Sequence, residues 1–212
     1  MSSTNRGSER LIADNYPTPH WCVHRLLDRV RVLRPHLRMW EPCAGEGAIV
    51  DAVSLWGMKT HAAAPTWAVT ELREECEAAL KTKPFVTEVV VGDVLTTAVP
   101  EAVDWAITNP PFYFSFEILQ HLLNSLPDSH VTLLQKLNWL GTPMRSAFFS
   151  EQPPDVYVLP NRVSFMESGK ADSIEYAWFH WSPGNRNRAY GKLVMLDDTP
   201  IEERSRKKKR SK

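Results

Sequence analysis

The stretch LRMWEPCAGEG, residues 37–47, decides how the rest of the chain is organised. Its apolar first half predicts a short buried strand that ends at Glu41. Gly45 and Gly47 predict a tight turn, because glycine lets the backbone approach a ligand closely and lead directly into a helix. Residues 48–56 predict that helix. The stretch lacks the GxGxxG spacing and the P-loop lysine, so it does not favour a dinucleotide or triphosphate site.

Two further strands lead into acidic side chains. Residues 66–70 predict a strand that ends in Glu71, and residues 86–91 predict one that leads into Asp93. A carboxylate at a second strand end can accept hydrogen bonds from ribose hydroxyls, as in nucleotide-binding α/β folds. Each acid alone would also suit a cap on the segment that follows it. Taken together, polar residues at successive strand ends predict a ligand crevice at one edge of a sheet.

The sequence Asn109-Pro110-Pro111-Phe112 follows a fourth predicted strand, residues 103–108. Two prolines end the hydrogen-bond ladder and hold the backbone rigid with few donors. The side-chain oxygen of Asn109 and the carbonyl of Pro110 are then acceptors at the carboxyl edge of the sheet. Two acceptors and an aromatic face suit an exocyclic NH2 group on a flat ring. An ordinary turn after a strand would have the same sequence.

In this order and spacing the segments resemble the class I S-adenosylmethionine-dependent methyltransferases. Within that family, they look like the gamma-type enzymes that methylate the exocyclic N6 amine of adenine in DNA. The resemblance spans residues 14–137, including the YPTP segment at 16–19. It implies S-adenosyl-L-methionine as cofactor and a single Rossmann-like α/β domain. That domain would hold a seven-stranded, mostly parallel sheet with helices on both faces and an antiparallel edge strand.

The resemblance also implies roles for residues. Glu41 and the glycine loop would hold the methionine part of the cofactor, Glu71 its ribose and Asp93 its adenine amino group. The implied catalytic residues are Asn109, Pro110, Pro111 and Phe112. The implied cofactor-binding residues are Tyr16, Thr18, Pro19, Glu41, Pro42, Gly45, Gly47, Glu71, Leu72, Asp93, Val94 and Asn109.

The predicted chemistry starts from the weak nucleophilicity of an adenine amine, whose lone pair is delocalised into the ring. If Asn109 and Pro110 each accept one N–H, the nitrogen gains tetrahedral character and can attack a methyl group in line. No cysteine nucleophile or metal is needed for that step. Phe112 would stack on the base. In duplex DNA the base would have to be flipped out of the helix, at a cost of a few kcal/mol.

The chain after the catalytic motif is expected to complete the sheet. Residues 114–126 carry apolar side chains at helical spacing and predict a helix. Residues 131–137 predict a fifth strand, and residues 138–154 predict a loop and a short helix that cover the site. Residues 155–159 and 175–181 predict the last two strands, which form the antiparallel edge. We interpret the aromatic residues of the last strand as core packing and not as a platform for bases.

Composition fits one globular enzyme. The chain has 212 residues, of which 43% are hydrophobic, enough for a single domain with a full core. No apolar run is long enough to cross a bilayer, and the N-terminus lacks a signal-peptide pattern. Cys22, Cys43 and Cys76 are odd in number and widely spaced, which argues against a disulfide framework or a zinc site. We therefore expect a cytoplasmic protein of a bacterium or a phage-infected cell.

Charge is unevenly distributed, although the formal net charge is zero. Residues 204–212 hold seven of the 25 basic residues and no acidic one, which leaves 18 basic against 25 acidic residues elsewhere. Such a segment binds phosphates by releasing counterions, although a solubilising terminus or a nuclear-localisation signal has the same composition. We expect a flexible arm over residues 1–13, a methyltransferase domain over 14–200 and a basic disordered tail over 201–212. Nucleic-acid contacts are predicted for Lys136, Arg145, Arg162, Arg186, Arg188, Lys207, Lys208 and Lys209.

Other functions also fit the motif. Methyltransferases that act on RNA adenine or protein glutamine carry a related loop, and those that act on cytosine N4 usually have serine in place of Asn109. A non-catalytic nucleic-acid-binding protein with the same fold is an alternative of another class. About 75 residues follow the fifth strand, too few for a large target-recognition domain. Target recognition would therefore come from short loops, from the second subunit of a homodimer or from a partner protein.

Overall fold

The structure is a computed structural model that describes residues 17–30, 34–165, 173–185 and 188–204. Six α-helices, three short 3₁₀ helices and eight strands lie in these residues. The helices are α1 (His20–Arg29), α2 (Ala48–Thr60), α3 (Glu77–Lys81), α4 (Ser115–Ser125), α5 (Pro143–Glu151) and α6 (Ile201–Arg204). The strands are β1 (Arg38–Glu41), β2 (Thr66–Glu71), β3 (Val86–Val91), β4 (Trp105–Thr108), β5 (His130–Lys136), β6 (Asp155–Val158), β7 (Tyr176–Trp181) and β8 (Leu193–Met195). Among these helices, none has the length and apolar character needed to cross a membrane.

All eight strands form one sheet in the order β3-β2-β1-β4-β5-β7-β6-β8. β7 runs antiparallel to its neighbours β5 and β6, and every other pair in the sheet is parallel. The chain builds outward from β1 to β3 and then returns to place β4 on the other side of β1. At such a reversal the connections leave toward opposite faces and open a crevice at the carboxyl ends of the strands.

Each face of the sheet has its own helical layer and its own core. One core joins α1, α2 and α3 to the sheet and includes Leu26. The other joins α4 and α5 to the sheet and includes Leu119. Met39 of β1 faces the first core and its neighbour Trp40 faces the second, as the two-residue period of a strand requires. Burying both faces accounts for the nearly continuous apolar sequence of the central strands.

The predicted fold class is confirmed, and two details of the sheet differ from the prediction. Eight strands are present instead of seven, because the sequence pattern does not indicate β8. This strand has only three residues and follows a segment rich in proline, glycine and charge, so it gives no periodic signal. The antiparallel strand is internal, since β7 lies between β5 and β6 while β8 forms the edge. Pairing between strands far apart in sequence sets that position, and local patterns do not encode it.

α1 lies beside α2 and runs in the same direction. His24 Nε2 donates a hydrogen bond to the Ala52 carbonyl at 2.9 Å, and Trp56 Nε1 donates one to Asp28 at 2.8 Å. Both contacts join residues 28 positions apart, so the two helices advance together along the sheet. Because α2 begins directly after the glycine loop, α1 also begins at the carboxyl edge of the sheet.

A buried polar cluster lies near the amino ends of β4 and β5. His180 Nδ1 lies 2.7 Å from the Thr132 hydroxyl, and His180 Nε2 lies 3.3 Å from His130 Nδ1. Trp105 Nε1 donates to the same Thr132 hydroxyl at 2.7 Å, which leaves that hydroxyl free to donate to His180. Burial, and secondly the adjacent His130, lower the pKa of His180 to about 3. His180 is therefore neutral at neutral pH, and protonating it would place a cation in the core.

We predict that His180→Gln flattens the pH dependence of stability in mild acid. In the unfolded protein His180 binds a proton near pH 6.5, whereas in the folded protein it binds one only near pH 3. The contribution of His180 to the free energy of unfolding is therefore full above pH 6.5. It is lost as the pH falls toward 3, by up to about 1.4 kcal/mol per pH unit. Urea unfolding at neutral pH and in mild acid measures how the free energy of unfolding changes with pH. The exposed His61→Asn is the control, and an unchanged slope in His180→Gln would contradict the account.

Candidate functional site

The candidate site lies where β1 and β4 meet at the carboxyl edge of the sheet. Met39 pairs with Trp105 and Trp40 with Ala106, so Glu41 and the residues after Thr108 end at the same edge. α2 leaves β1 toward one face of the sheet, and α4 leaves β4 toward the other. This reversal is the position at which open α/β sheets bind ligands.

The glycine loop is formed by residues 42–47 and is tied to the neighbouring strand. Gly45 and Gly47 have φ angles of 55° and 80°, in the left-handed region that favours glycine. A Cβ atom at Gly47 would lie 3.1 Å from the flexible Lys83 side chain, which could shift slightly to make room, so the backbone conformation is the main reason for glycine there. The Ala44 amide donates to the Thr70 carbonyl at 3.0 Å, which fixes the loop against the end of β2.

Glu71 bridges the glycine loop and the segment after β2. Its Oε2 accepts from the Gly45 amide at 2.6 Å, and its Oε1 accepts from Arg73 Nε at 2.7 Å and from the Arg73 amide at 3.1 Å. A carboxylate offers about four acceptor positions, so roughly one is left for a ligand. Sequence reasoning assigns Glu71 to a ribose but does not find Arg73. No sequence motif indicates that arginine, because its contact with Glu71 depends on how the loop folds.

Glu41 is a buried acid at the end of β1, with 2% of its surface exposed. Burial raises the pKa of Glu41 well above its ordinary value, a hydrogen bond from the Val50 backbone partly offsets this rise, and the charge of Glu71 adds to it. Its Oε2 atom has no hydrogen-bond partner among the described residues. A buried acceptor in this state costs free energy unless a donor reaches it.

Asp93 follows β3 at the same edge and is exposed. Its carboxylate accepts from the Leu95 amide at 2.9 Å, so it also caps the turn that follows, as expected for an acid in this position. Leu72 is 52% exposed next to Glu71, and Val94 is buried beneath the turn. An exposed leucine between two acids can cover a flat, partly polar ring.

The segment before α1 lies at the same level as the glycine loop, because α1 and α2 start together. Thr18 and Pro19 are buried there. Tyr16, which sequence reasoning groups with them, lies outside the described residues. Cys43 in the loop is not a nucleophile candidate, since burial raises the pKa of its thiol and keeps it protonated.

The motif Asn109-Pro110-Pro111-Phe112 forms the turn between β4 and α4. The Phe114 amide donates to the Pro111 carbonyl at 3.1 Å, and the Ser115 hydroxyl donates to the Phe112 carbonyl at 3.0 Å. These bonds lock the turn at the start of α4. Asn109 and Phe112 are half-buried at the mouth of the crevice, and Pro110 is buried.

Phe112 lies near one cationic and two aromatic side chains. Lys136 Nζ lies 4.6 Å from the centroid of the Phe112 ring, a cation–π contact. Tyr176 lies 6.0 Å from Phe112, and Phe165 lies 5.1 Å from Tyr176, between ring centroids. Sequence reasoning interprets Tyr176 as core packing, and it is buried in the core. The structure adds that its ring also flanks the motif.

The predicted nucleic-acid contacts are dispersed. Lys136 ends β5 beside the motif, whereas Arg145 Nε donates to the Trp139 carbonyl at 2.6 Å and holds the segment before α5. Arg162 forms an exposed ion pair with Glu175 at 3.4 Å. Arg188 is exposed. Arg186, Lys207, Lys208 and Lys209 lie outside the described residues.

Comparison with known proteins identifies relatives in fold. No protein-family profile and no curated protein sequence matches the chain. A Listeria monocytogenes protein described as a class I S-adenosylmethionine-dependent methyltransferase has a similar structure, with a TM-score of 0.60 and 13% identity over 90% of this chain and 69% of that one. The methyltransferase subunit of a type I restriction-modification system from Streptococcus thermophilus matches with a TM-score of 0.58 and 14% identity, over 80% of this chain and 44% of that one.

The 23S rRNA methyltransferase ErmE is also similar, with a TM-score of 0.58 and 16% identity over 84% of this chain and 72% of that one. The chain thus spans less than half of the Streptococcus subunit and about two thirds of the Listeria protein. These likenesses show that the chain has the fold of the class I S-adenosylmethionine-dependent methyltransferases, as the sequence predicts.

We predict that Glu41→Gln stabilises the protein without ligand at alkaline pH. The pKa of Glu41 is raised in the folded protein. The side chain therefore does not destabilise the fold at a pH below its ordinary pKa of 4.5, and it destabilises the fold increasingly as the pH rises above that value. Glutamine keeps the shape without the charge. Thermal unfolding in mild acid and at alkaline pH should show a stabilisation that grows with pH. The exposed Glu46→Gln in the same loop is the control, and a pH-independent difference would refute the assignment.

Proposed function

We propose that the protein is an S-adenosyl-L-methionine-dependent methyltransferase that methylates the exocyclic N6 amine of adenine in DNA. The observation that carries this proposal is the juxtaposition of two loops. The glycine loop after β1 and the Asn-Pro-Pro-Phe turn after β4 end neighbouring parallel strands. A methyl donor held by the first loop would lie beside an amine held by the second.

The residues at the edge fit the proposed cofactor. The unpaired Oε2 of Glu41 suits the ammonium of the methionine part, which would return the buried acid to its charged form. The open acceptor position of Glu71 suits a ribose hydroxyl, and exposed Asp93 and Leu72 suit an adenine ring. Gly45 leaves room for close approach. When bound, the cofactor supplies an electrophilic methyl group on a sulfonium.

The protein's part in the transfer would be positioning and electrostatics. The Asn109 side-chain oxygen and the Pro110 carbonyl accept the two N–H groups of the amine, which directs the nitrogen lone pair into the crevice. Acceptors fixed by the locked turn stabilise the positive charge that develops on the nitrogen. Phe112 stacks on the ring, and Lys136 beside it contacts the adjacent phosphate.

Adenine in RNA is the second candidate, because an rRNA methyltransferase shares the fold. The basic segment 204–212 suits either nucleic acid, whereas it gives no reason to favour a protein glutamine. Incubation with DNA, RNA and protein in parallel, using cofactor labelled on the methyl group, separates these substrates. We expect label in DNA, recovered as N6-methyldeoxyadenosine. Label confined to RNA or to protein would replace the DNA proposal.

We predict that Asn109→Ala lowers methyl transfer by at least about 100-fold, in line with the loss of one fixed polar group at a reacting centre. Cofactor binding, measured by calorimetry, should stay within a few-fold of wild type, because Asn109 is assigned to the amine. The exposed Asn124→Ala on α4 is the matched control and should retain activity. Equal loss of transfer and cofactor binding in a folded Asn109→Ala protein would show that its role is misassigned.

A further prediction concerns the cofactor acids. Glu71→Gln and Asp93→Ala should each weaken S-adenosyl-L-methionine binding by about 1–3 kcal/mol, because each removes a charged acceptor from a polar group of the ligand. Calorimetric titration measures the change, and the exposed Glu101→Gln, away from the glycine loop, should leave it unaltered. Normal cofactor binding by both variants would remove the main support for a cofactor site at this edge.

A further inference from the structure

The hydrogen bonds of the Glu71 carboxylate determine how a ribose could bind to it. Oε1 accepts from Arg73 Nε at 2.7 Å and from the Arg73 amide at 3.1 Å, and Oε2 accepts from the Gly45 amide at 2.6 Å. Each carboxylate oxygen offers about two acceptor positions. Both positions of Oε1 are therefore occupied in this structure, whereas Oε2 has one position left.

A ribose needs more than that one position on Glu71. Its two neighbouring hydroxyls fit a carboxylate best when each oxygen accepts from one hydroxyl. Oε1 can accept from a hydroxyl only if one of its bonds from Arg73 breaks. The amide bond is made by the backbone directly after β2, where the Arg73 carbonyl also accepts from the Cys76 amide at 3.2 Å. The bond from Arg73 Nε is therefore the one that can be exchanged without moving the backbone.

The Arg73 side chain also lies against the glycine loop. Its Nη2 atom is 3.5 Å from the position that a Cβ atom would take at Gly45, so the guanidinium fills part of the space that this glycine leaves. The ion pair of Arg73 with Glu71 is shielded from water, since 18% of the Arg73 side chain and 8% of the Glu71 side chain are exposed. It is therefore stronger than an exposed pair, and a ligand that breaks it loses part of its binding free energy.

We propose that the Arg73 side chain occupies the ribose position on Glu71 in the ligand-free protein, and that the cofactor displaces it from Oε1 when both ribose hydroxyls bind. Arg73 is then a residue that sets the affinity for the cofactor, because the bond from its Nε must be replaced by a bond from a hydroxyl. The inference rests on the proposed assignment of Glu71 to the ribose, and it does not depend on which molecule accepts the methyl group.

Displacement of Arg73 leaves the rest of the site in place. The Gly45 amide still holds Oε2, so Glu71 keeps its position when Arg73 leaves. The exposed Glu75 is near enough for its charge to stabilise the protonated guanidinium, and it offers that group a second partner. S-adenosyl-L-methionine and the product S-adenosyl-L-homocysteine carry the same ribose. Arg73 therefore weakens the binding of both, and its return to Glu71 favours release of the product.

Calorimetric titration of the full chain with S-adenosyl-L-homocysteine tests the inference. This ligand has no net charge at neutral pH, so a general change in the charge of the protein affects its binding little. Arg73→Met keeps much of the side-chain volume and removes the Nε donor. We expect this variant to bind the ligand about 10-fold more tightly than wild type, because a hydroxyl gains a bond to a charged acceptor without an ion pair being broken.

Lys81→Met is the matched control. It removes one positive charge from an exposed ion pair with Glu77 on α3 and should leave the affinity for S-adenosyl-L-homocysteine unchanged. Thermal unfolding of both variants without ligand checks that they are folded.

Ligands that lack one hydroxyl separate competition for Glu71 from a simple gain of space. The titrations are repeated with the 2′-deoxy and the 3′-deoxy analogues of S-adenosyl-L-homocysteine. The gain in Arg73→Met should be lost with the analogue that lacks the hydroxyl replacing Arg73 Nε. An equal gain with all three ligands, or no gain with the unmodified ligand, would overturn the inference.

A measurement on the wild-type protein does not depend on the folding of a variant. In the free protein the Arg73 Nε–H is bonded to a buried carboxylate, so its NMR signal should be protected from exchange with water. Saturating S-adenosyl-L-homocysteine should remove that protection. An Nε–H that stays protected with the ligand bound would contradict displacement.

These measurements require no methyl transfer, so their outcome is separate from that of the proposed function. Displacement of Arg73 by the ligand in a protein that leaves DNA unlabelled would support the inference and reject the DNA proposal. Methylation of DNA by a protein whose Arg73 stays bonded to Glu71 with the ligand bound would do the reverse.

Discussion

The pairing of β1 with β4 is the contact on which the arrangement of the site depends. It reverses the direction in which the sheet is built, so that α2 and α4 depart toward opposite faces and leave their preceding loops facing each other. The carboxylate of Glu71 then fixes the glycine loop from the neighbouring strand. The topology of the sheet decides which side chains lie at this edge, and the identity of those side chains decides what they can bind.

In the proposed function, stability and cofactor binding oppose each other at Glu41. A buried acid with an unpaired oxygen destabilises the empty protein, and the nearby charge of Glu71 increases that cost. The positive charge of Lys83 offsets part of that cost. A cationic group of a ligand would offset the same cost directly. Polar groups left unsatisfied in a core are expected where binding, and not folding, completes them.

Much of the fold could be predicted from the sequence, because each strand from β1 to β7 is apolar and ends in a turn or a polar residue. The positions of Glu41, Glu71, Asp93 and Asn109 at one edge follow from parallel pairing alone. The pairing partners of β7, the short β8 and the Arg73 contact could not be predicted, since each depends on residues distant in sequence. Thr199 is a similar case, because nothing local to it in the sequence indicates that Arg25 and Asn161 form hydrogen bonds with it.

The most direct test of the central claim is a crystal structure of the protein with S-adenosyl-L-homocysteine, the product left after methyl transfer. The account predicts that the ligand lies along the carboxyl edge, with its amino group at Glu41, its ribose at Glu71 and its thioether sulfur facing Asn109. A ligand bound elsewhere, or an empty crevice at a saturating concentration, would contradict the claim that the two loops form one site.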